Sequence, residues 1–358
     1  MHRCPRLVAI VLALSTSQAG AQTPPVSLGE PIPVARPFAS RETKEGTPRG
    51  ISGFACLPPD QGRRACLAIN DEERFAEWAW FDGQAITPTG KLLELLSRGK
   101  QPGDTILGDR PRGLCAKERG YGEFDGEAIA IAGDQVYLTG SHACSRAKGH
   151  FRPSSFILAR ALALPRGRQV EEVERTWRLA EVFRQSPLAD AFGQPGPLGS
   201  GIEGMAVVGE RLYLGLRTPA PDKASLLSVE VAPLFAPEEP SSSQVQPRLL
   251  PLALGPATGI RDLAALADGR LLVLAGPADD GSAPFVLHLL TPATGQSRPL
   301  VELRTDAQGR KKGGGTETPK AEAVAVLEET SDRVSVLVLY DNIDEGGPRL
   351  HQVKLPTD

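Results

Sequence analysis

Glu127-Ala-Ile-Ala130 and Glu203-Gly-Met-Ala206 are two copies of one short phrase, and Ser52-Gly-Phe-Ala55, Arg261-Asp-Leu-Ala264 and Glu322-Ala-Val-Ala325 repeat it. A turn and a second apolar segment follow each copy: Ala65-Cys-Leu-Ala-Ile69, Gln135-Val-Tyr-Leu-Thr139, Arg211-Leu-Tyr-Leu-Gly215, Arg270-Leu-Leu-Val-Leu274 and Val334-Ser-Val-Leu-Val-Leu339. The turns hold Gly133-Asp134, Gly209-Glu210 and Asp268-Gly269, pairs that supply the positive φ angles of tight hairpins. A strand pair that recurs every sixty to seventy-five residues or so cannot cover both faces of its small sheet alone, so the units must stack on one another. Radial repetition does this, and the reading is an all-β chain forming one β-propeller.

Further strands are expected over 156–159, 226–231, 285–290 and 350–355, with outer ones over 176–182, 248–254 and 299–304. That makes about four strands per unit, as a blade requires. The last unit ends after three, while the segment 26–38 precedes the first unit with nothing to pair with. An N-terminal strand that completes the final blade would hide two sheet edges. Five blades are visible; a degenerate sixth within 91–121 is the alternative, although Gly, Pro and charge there read as a long loop. The segments 185–200 and 306–320, the second containing Lys311-Lys-Gly-Gly-Gly315, also read as exposed loops, and that glycine run reads as a flexible linker before an anion cradle.

Residues 1–21 have a basic start (Arg3, Arg6), an apolar stretch from Leu7 to Leu14 and Ala19-Gly-Ala21, the pattern of a cleaved signal peptide. The mature chain then begins near Gln22 as a single propeller domain over 22–358, periplasmic or secreted. Cys4 lies ahead of the apolar region, which argues against a lipid-anchored start. No apolar run reaches the roughly twenty residues of a membrane helix. Cleavage removes two arginines and no acids, taking the formal charge from −3 to −5. Lys and Arg are scattered among Asp and Glu with no basic stripe, which excludes a nucleic-acid footprint. With 41% hydrophobic but 5% aromatic residues, the core must be built from Leu, Val and Ala. A monomer is expected.

Four cysteines remain after cleavage, and an even count in an oxidising compartment reads as disulfides. Cys56 and Cys66 fall on the two strands of one hairpin, while Cys115 precedes a first strand and Cys144 follows the matching second one. The start of a strand and the end of its antiparallel neighbour share one end of a sheet. The pairs predicted are Cys56 with Cys66 and Cys115 with Cys144.

Blades taper together near the axis, so alternate innermost positions must be small, and Ala55, Ala130, Ala206, Ala264 and Ala325 meet that demand. Three places earlier in each copy, at the channel mouth, stand Ser52, Glu127, Glu203, Arg261 and Glu322. The ends of the second strands add Asn70, Asp71, Ser141, His142, Arg217, Asp341 and Asn342. This convergence of titratable groups is the candidate site.

The phrases Asp125-Gly-Glu-Ala-Ile-Ala130, Gly201-Ile-Glu-Gly-Met-Ala206 and Lys320-Ala-Glu-Ala-Val-Ala325, with Leu138-Thr-Gly-Ser-His142 and Leu339-Tyr-Asp341, resemble a family of exported bacterial proteins of unknown function. That family is similar in pattern to the phytase-like and esterase-like propellers, and the resemblance runs from about residue 50 to the end. Similarity to phytase-like propellers would imply carboxylates that hold calcium and bind phosphate esters. The chain departs from that pattern: contiguous acidic calcium-ligand runs are not evident, and Arg261 replaces an acid in one repeat.

Three readings of the mouth follow. As a metal site, Glu127, Glu203 and Glu322, joined by Asp71 or Asp341, offer the hard oxygens that Ca²⁺ prefers. As a neutralised channel lining, Arg261 pairs with one or two of the glutamates, since a buried acid needs a partner. As a catalytic site, His142 is the general acid or base beside Glu127, and Arg217 grips an anionic substrate. No nucleophile elbow, HExxH motif or phosphate-cradling glycine loop is present. His150, His288 and His351 form no metal trio, and Trp78, Trp80 and Trp177 fall in outer segments where blade packing accounts for them.

Two function classes result. One is a module that binds a small-molecule or protein ligand through Glu203, Arg261, Glu322 and Asn342; the other is a Ca²⁺-dependent hydrolase of phosphate or carboxylic esters. Propellers host unrelated activities, so fold does not choose between them.

Overall fold

The computed structural model describes residues 24–41, 50–97, 105–145, 149–162, 172–194, 199, 201–219, 222–240, 244–279, 281–311 and 314–356. The expected signal peptide, residues 1–21, lies outside them. Five blades stand in a ring, each with four antiparallel strands. Blade 1 is Gly53–Cys56, Arg64–Ile69, Phe75–Phe81 and Ile86–Glu94; blade 2 is Gly126–Ala132, Gln135–Gly140, Leu158–Leu162 and Val173–Thr176. Blade 3 is Gly201–Val208, Arg211–Thr218, Ala224–Glu230 and Arg248–Leu252; blade 4 is Thr258–Ala265, Leu271–Pro277, Phe285–Thr291 and Gln296–Leu303. Blade 5 takes Ala321–Glu329, Arg333–Tyr340 and Arg349–Lys354 from the end of the chain and Glu30–Pro31 from its start.

The innermost strands pack on one another in order, and Ala321–Glu329 returns to Gly53–Cys56, closing the ring. Five apolar clusters fill the five wedges between neighbouring blades. Alternation along a strand serves two wedges at once: Leu337 faces blade 1, while Val336 and Val338 face blade 4. Strands buried on both faces therefore read as apolar runs, as Val336 to Tyr340 does. Among the described residues of 91–121 there is no sixth blade. Ile106–Leu107 adds in parallel to Val173–Thr176, and Lys117–Glu118 pairs with His150–Phe151.

The hairpin turns use Gly133 and Gly269 at φ of 60° and 86°, the left-handed region the turn chemistry called for. The innermost strands pass close together at the second position of the phrase. A Cβ on Gly204 would sit 2.7 Å from Asp262 Cα, and one on Gly53 would sit 3.1 Å from Ala128 Cα.

The N-terminal segment does more than complete one blade. Val26–Ser27 pairs in parallel with the outer strand of blade 4, Glu30–Pro31 pairs with Arg349–Lys354, and Val34 bridges Ile86 of blade 1. Beyond it, Phe38, Ala39 and Arg41 donate their backbone N–H groups to the carboxylates of Glu345, Glu77 and Glu73. Two sequence expectations need correction. The outer strand expected over 176–182 ends at Thr176, and the apolar run beyond it is the helix Leu179–Gln185, whose Leu179, Val182 and Phe183 pack inward at helical spacing. Similarly, Pro153–Phe156 forms a 3₁₀ turn ahead of Leu158–Leu162, because the proline cannot supply a ladder N–H.

Cys56 is bonded to Cys66, and Cys115 to Cys144. The first pair faces directly across the hairpin register. Among the described residues, no helix is long and apolar enough to cross a membrane.

Candidate functional site

In four blades the innermost hairpin slips by one residue at the same place. Ala128 faces Thr139 while Gly126 faces Gly140, and Glu127 bulges out between them. In blade 3, Ile202 and Gly204 face Leu216 and Gly215, leaving Glu203. In blade 4, Ile260 and Asp262 face Ala275 and Leu274, leaving Arg261; in blade 5, Ala321 and Ala323 face Tyr340 and Leu339, leaving Glu322. A β-bulge takes one residue out of the alternation and re-aims its side chain. The four bulged residues are the four charged heads of the repeated phrase, and all line one cavity of about 1200 Å³. Ser52 precedes its strand, is 2% exposed and is not among the lining residues.

Carboxylate oxygens of Glu127, Glu203 and Glu322 lie within 4.8 Å of one another. Two guanidiniums enter the same layer. Arg217 Nη1 is 2.7 Å from Glu203 Oε1, and Arg261 Nη2 is 3.4 Å from Glu203 Oε2 and paired with Glu322 Oε1. The floor thus holds a chain of alternating donors and acceptors, Arg217–Glu203–Arg261–Glu322, across blades 3 to 5, with the Glu127 carboxylate of blade 2 beside it. Such pairing is what buried charge requires, since an isolated ion would face a desolvation penalty of several kcal/mol. Lack of a side chain at Gly276 makes room for Arg261: a Cβ there would stand 3.0 Å from Arg261 Cγ and 2.5 Å from the Phe285 ring.

Asp71, Asp341 and Asp125 add carboxylates to the cavity lining, and Ser141 donates its hydroxyl to Asp125 Oδ2. Nine carboxylate and five cationic side chains line the space, and Phe285, Leu303 and several Ala and Pro residues add apolar wall between them. Lys320 lies 3.5 Å from Glu317 and Arg304 lies 2.6 Å from Glu302, so these rim cations have acids of their own.

Four expected members of the site do not line this cavity: Ser52, His142, Asn342 and Asn70. The His142 backbone turns back at φ 52°, and its ring is fully buried, with centroids 5.7 Å from Phe156 and 6.3 Å from Phe183. Its Nδ1 lies 3.1 Å from the Gly140 carbonyl, and burial pushes its pKa down to about 4. It therefore does not stand beside Glu127 as a proton carrier. Asn342 is a staple: its Nδ2 donates to Thr318 O at 2.8 Å and its Oδ1 accepts from Lys320 N at 2.9 Å, which holds the loop that forms one cavity wall. Asn70 behaves similarly, donating to Gly50 O at 2.6 Å.

Asp262 was not a candidate, although it breaks the small-residue rule at the phrase's second position, where the other copies have Gly or Ala. Its carboxylate, 2% exposed, accepts from Leu263 N at 2.8 Å and Val324 N at 2.7 Å and takes a third bond from Met205 N. One side chain thereby ties the innermost strands of blades 3, 4 and 5. Burial raises its pKa well above the ordinary carboxylate range, against the lowering effect of these bonds.

Comparisons with known proteins return solved structures of low similarity and one family. An exo-β-1,3-galactanase from Clostridium thermocellum is 11% identical, with a TM-score of 0.44, and the match covers 91% of this chain but 62% of the galactanase, under two thirds of its length. Regucalcin from Agrobacterium tumefaciens, a calcium-binding protein, is 12% identical with a TM-score of 0.35 over 90% of this chain and 94% of its own. A GH74 xyloglucanase from Xanthomonas campestris is 19% identical with a TM-score of 0.29 over 86% of this chain and 38% of its own. Likeness at this level bears on neither activity nor ligand. No curated protein matches the sequence. Residues 168–353, more than half of the chain, match a family described as "Protein of unknown function (DUF3616)", and the chain, a five-bladed β-propeller, belongs to that family.

Proposed function

We propose that this is an exported, monomeric ligand-binding propeller whose channel mouth takes a small polar organic molecule. Glu127, Glu203 and Glu322 serve as acceptors, and Arg217 and Arg261 as donors. The observation that carries the reading is the alternating carboxylate–guanidinium floor, delivered by bulges on four blades to the base of a 1200 Å³ cavity. Hydroxyl and amine groups both donate and accept, or donate strongly, so a floor with both partners side by side suits them. Two disulfides favour a periplasmic or secreted setting.

The test is a thermal-shift screen of sugars, amino acids, polyamines and nucleosides. A ligand at a hundred times its Kd stabilises by about 2.7 kcal/mol through mass action, a shift readily seen. Hits should lose at least about tenfold in affinity, about 1.4 kcal/mol, in Glu203→Gln. Hits that bind this variant and Glu322→Gln as well as the wild type would place the site elsewhere.

A second reading, a Ca²⁺-dependent esterase or phosphoesterase, rests on the 4.8 Å grouping of three hard oxygens, since ligands on opposite sides of Ca²⁺ lie about 5 Å apart. In it Glu127 is the acid–base group and Arg217 the anion holder, without His142. The donor set suits calcium in kind. However, the Arg261 guanidinium stands between Glu203 and Glu322, where an ion shared by them would sit, so the residues as placed do not fit it. Turnover of generic phosphate or acyl esters that needs Ca²⁺ and is lost in Glu203→Gln would favour this second reading over the first.

A further inference from the structure

We propose that Arg261 is the resident cation of the channel floor and the residue that closes the three-carboxylate cluster to divalent metal ions. The proposal deepens the organic-ligand reading by naming what sets the specificity of the same site.

The innermost strands present a charged head on the same bulge in four blades, and three of the four heads are glutamates. The fourth is Arg261, and its guanidinium does for Glu203 and Glu322 what a shared ion would do. It neutralises both from one point and, being a donor of N–H only, offers no lone pair that could ligate a metal. With Arg217 on the other oxygen of Glu203, the floor holds two positive charges against three negative ones before any ligand arrives. An incoming Ca²⁺ would meet two guanidiniums in a layer shielded from water, where like charges repel far more than in solvent.

Displacing Arg261 is not an easy alternative. The side chain is 5% exposed, and its stem passes through space left by Gly276 beside Phe285. Its backbone is the bulge itself, and the next residue is the Asp262 staple bonded to Val324 N of blade 5. The main chain thus has no slack, and for the guanidinium to leave the floor it must break its pairs with both Glu203 and Glu322. An organic ligand faces neither obstacle, because its hydroxyl or amine groups add to the floor without needing the place that Arg261 occupies.

The test uses the full mature chain and two probes, CaCl₂ by thermal shift and calorimetry, and TbCl₃ by luminescence. Wild type should show no saturable binding that depends on Glu203. In Arg261→Met, whose apolar side chain keeps the stem volume, the three carboxylates lose their internal cation and should take Ca²⁺ with a Kd of about 10⁻⁴–10⁻³ M, the range of extracellular calcium modules. Arg261→Met/Glu203→Gln should lose at least about tenfold of that affinity, and Arg261→Lys, which keeps a cation, should not gain it. Wild-type calcium binding abolished by Glu203→Gln overturns the proposal. A folded Arg261→Met protein that gains no metal affinity overturns it too. If removing the guanidinium leaves the carboxylates to unfold the ring, Ca²⁺ should restore the fold, and a variant that stays unfolded at millimolar Ca²⁺ refutes the idea equally. Each of these failures leaves the organic-ligand screen standing, and a screen without hits leaves the metal result standing.

Discussion

Glu127, Glu203, Arg261 and Glu322 owe their shared cavity to one β-bulge each, so the chemistry of this site is set by single residues that leave their ladders. Asp262 shows how a neighbour holds such a position. Its pKa is raised by burial, so between the ordinary carboxylate range and the raised value the folded protein keeps a proton that the unfolded chain has released. Stability from this group is then greatest in acid and falls as pH rises through that window. Asp262→Asn removes the titration and turns one acceptor into a donor, at a cost of about 1–3 kcal/mol for an N–H left unpaired. We expect the variant's deficit in urea to be largest at low pH and to shrink toward neutrality. A deficit that grows with pH would mean that the buried carboxyl is ionised throughout.

At the scale of elements, the segment 25–41 is a strap across three blades. It adds Val26–Ser27 to blade 4 and Glu30–Pro31 to blade 5, touches blade 1 through Val34, and is fastened by three glutamates. Ser27 Oγ lies 2.8 Å from His351 Nδ1 on the same route. Because the strap is made first and its partners in blades 4 and 5 last, the ring is sealed only when the C-terminal strands are in place. Deleting residues 24–34 should expose the edges of Arg349–Lys354 and of Gln296–Leu303, and exposed edges invite pairing between molecules. Light scattering should then show concentration-dependent association near the melting temperature that the full chain lacks. A truncated protein that melts as a monomer at the wild-type temperature would reduce the strap to decoration. Glu77 is the sharper probe: it accepts from Ala39 N at 2.5 Å and Gly90 N at 2.7 Å. Glu77→Gln should lower stability by about 1–3 kcal/mol in urea, as charge-assisted bonds to two backbone donors are lost; no measurable change would mean that the strap is held by its ladder bonds alone.

At the scale of the whole molecule, three histidines are kept neutral inside the blades. Burial lowers the pKa of His142, His288 and His351 to about 4 in each case. Between pH 6.5 and 4 the unfolded chain takes up protons that the folded ring refuses, so stability should fall on acidification through that window and be unaffected by these groups above it. His288, 5% exposed with neither ring nitrogen bonded among the described residues, is the one to replace. His288→Leu should flatten the acid limb of a urea-midpoint profile and change little at pH 8; an unaltered slope would show that His288 does not contribute to it. The repeated phrase, the hairpins, the closing N-terminal strand and the two cysteine pairs were legible in the sequence alone, because each depends on residues near one another along the chain or on a repeat that counts blades. The charged heads were also legible as a set. Their bulges were not, since a one-residue slip leaves no mark in composition and is decided by which partner each strand pairs with. Nor was the burial of His142, whose position at a strand end matched a channel residue until the chain turned it against Phe156 and Phe183. Periodicity and local turn chemistry determined the architecture; only the packed ring decided that Arg261 would lie between Glu203 and Glu322, because contacts across an axis between residues sixty or so positions apart exist only once the blades have closed.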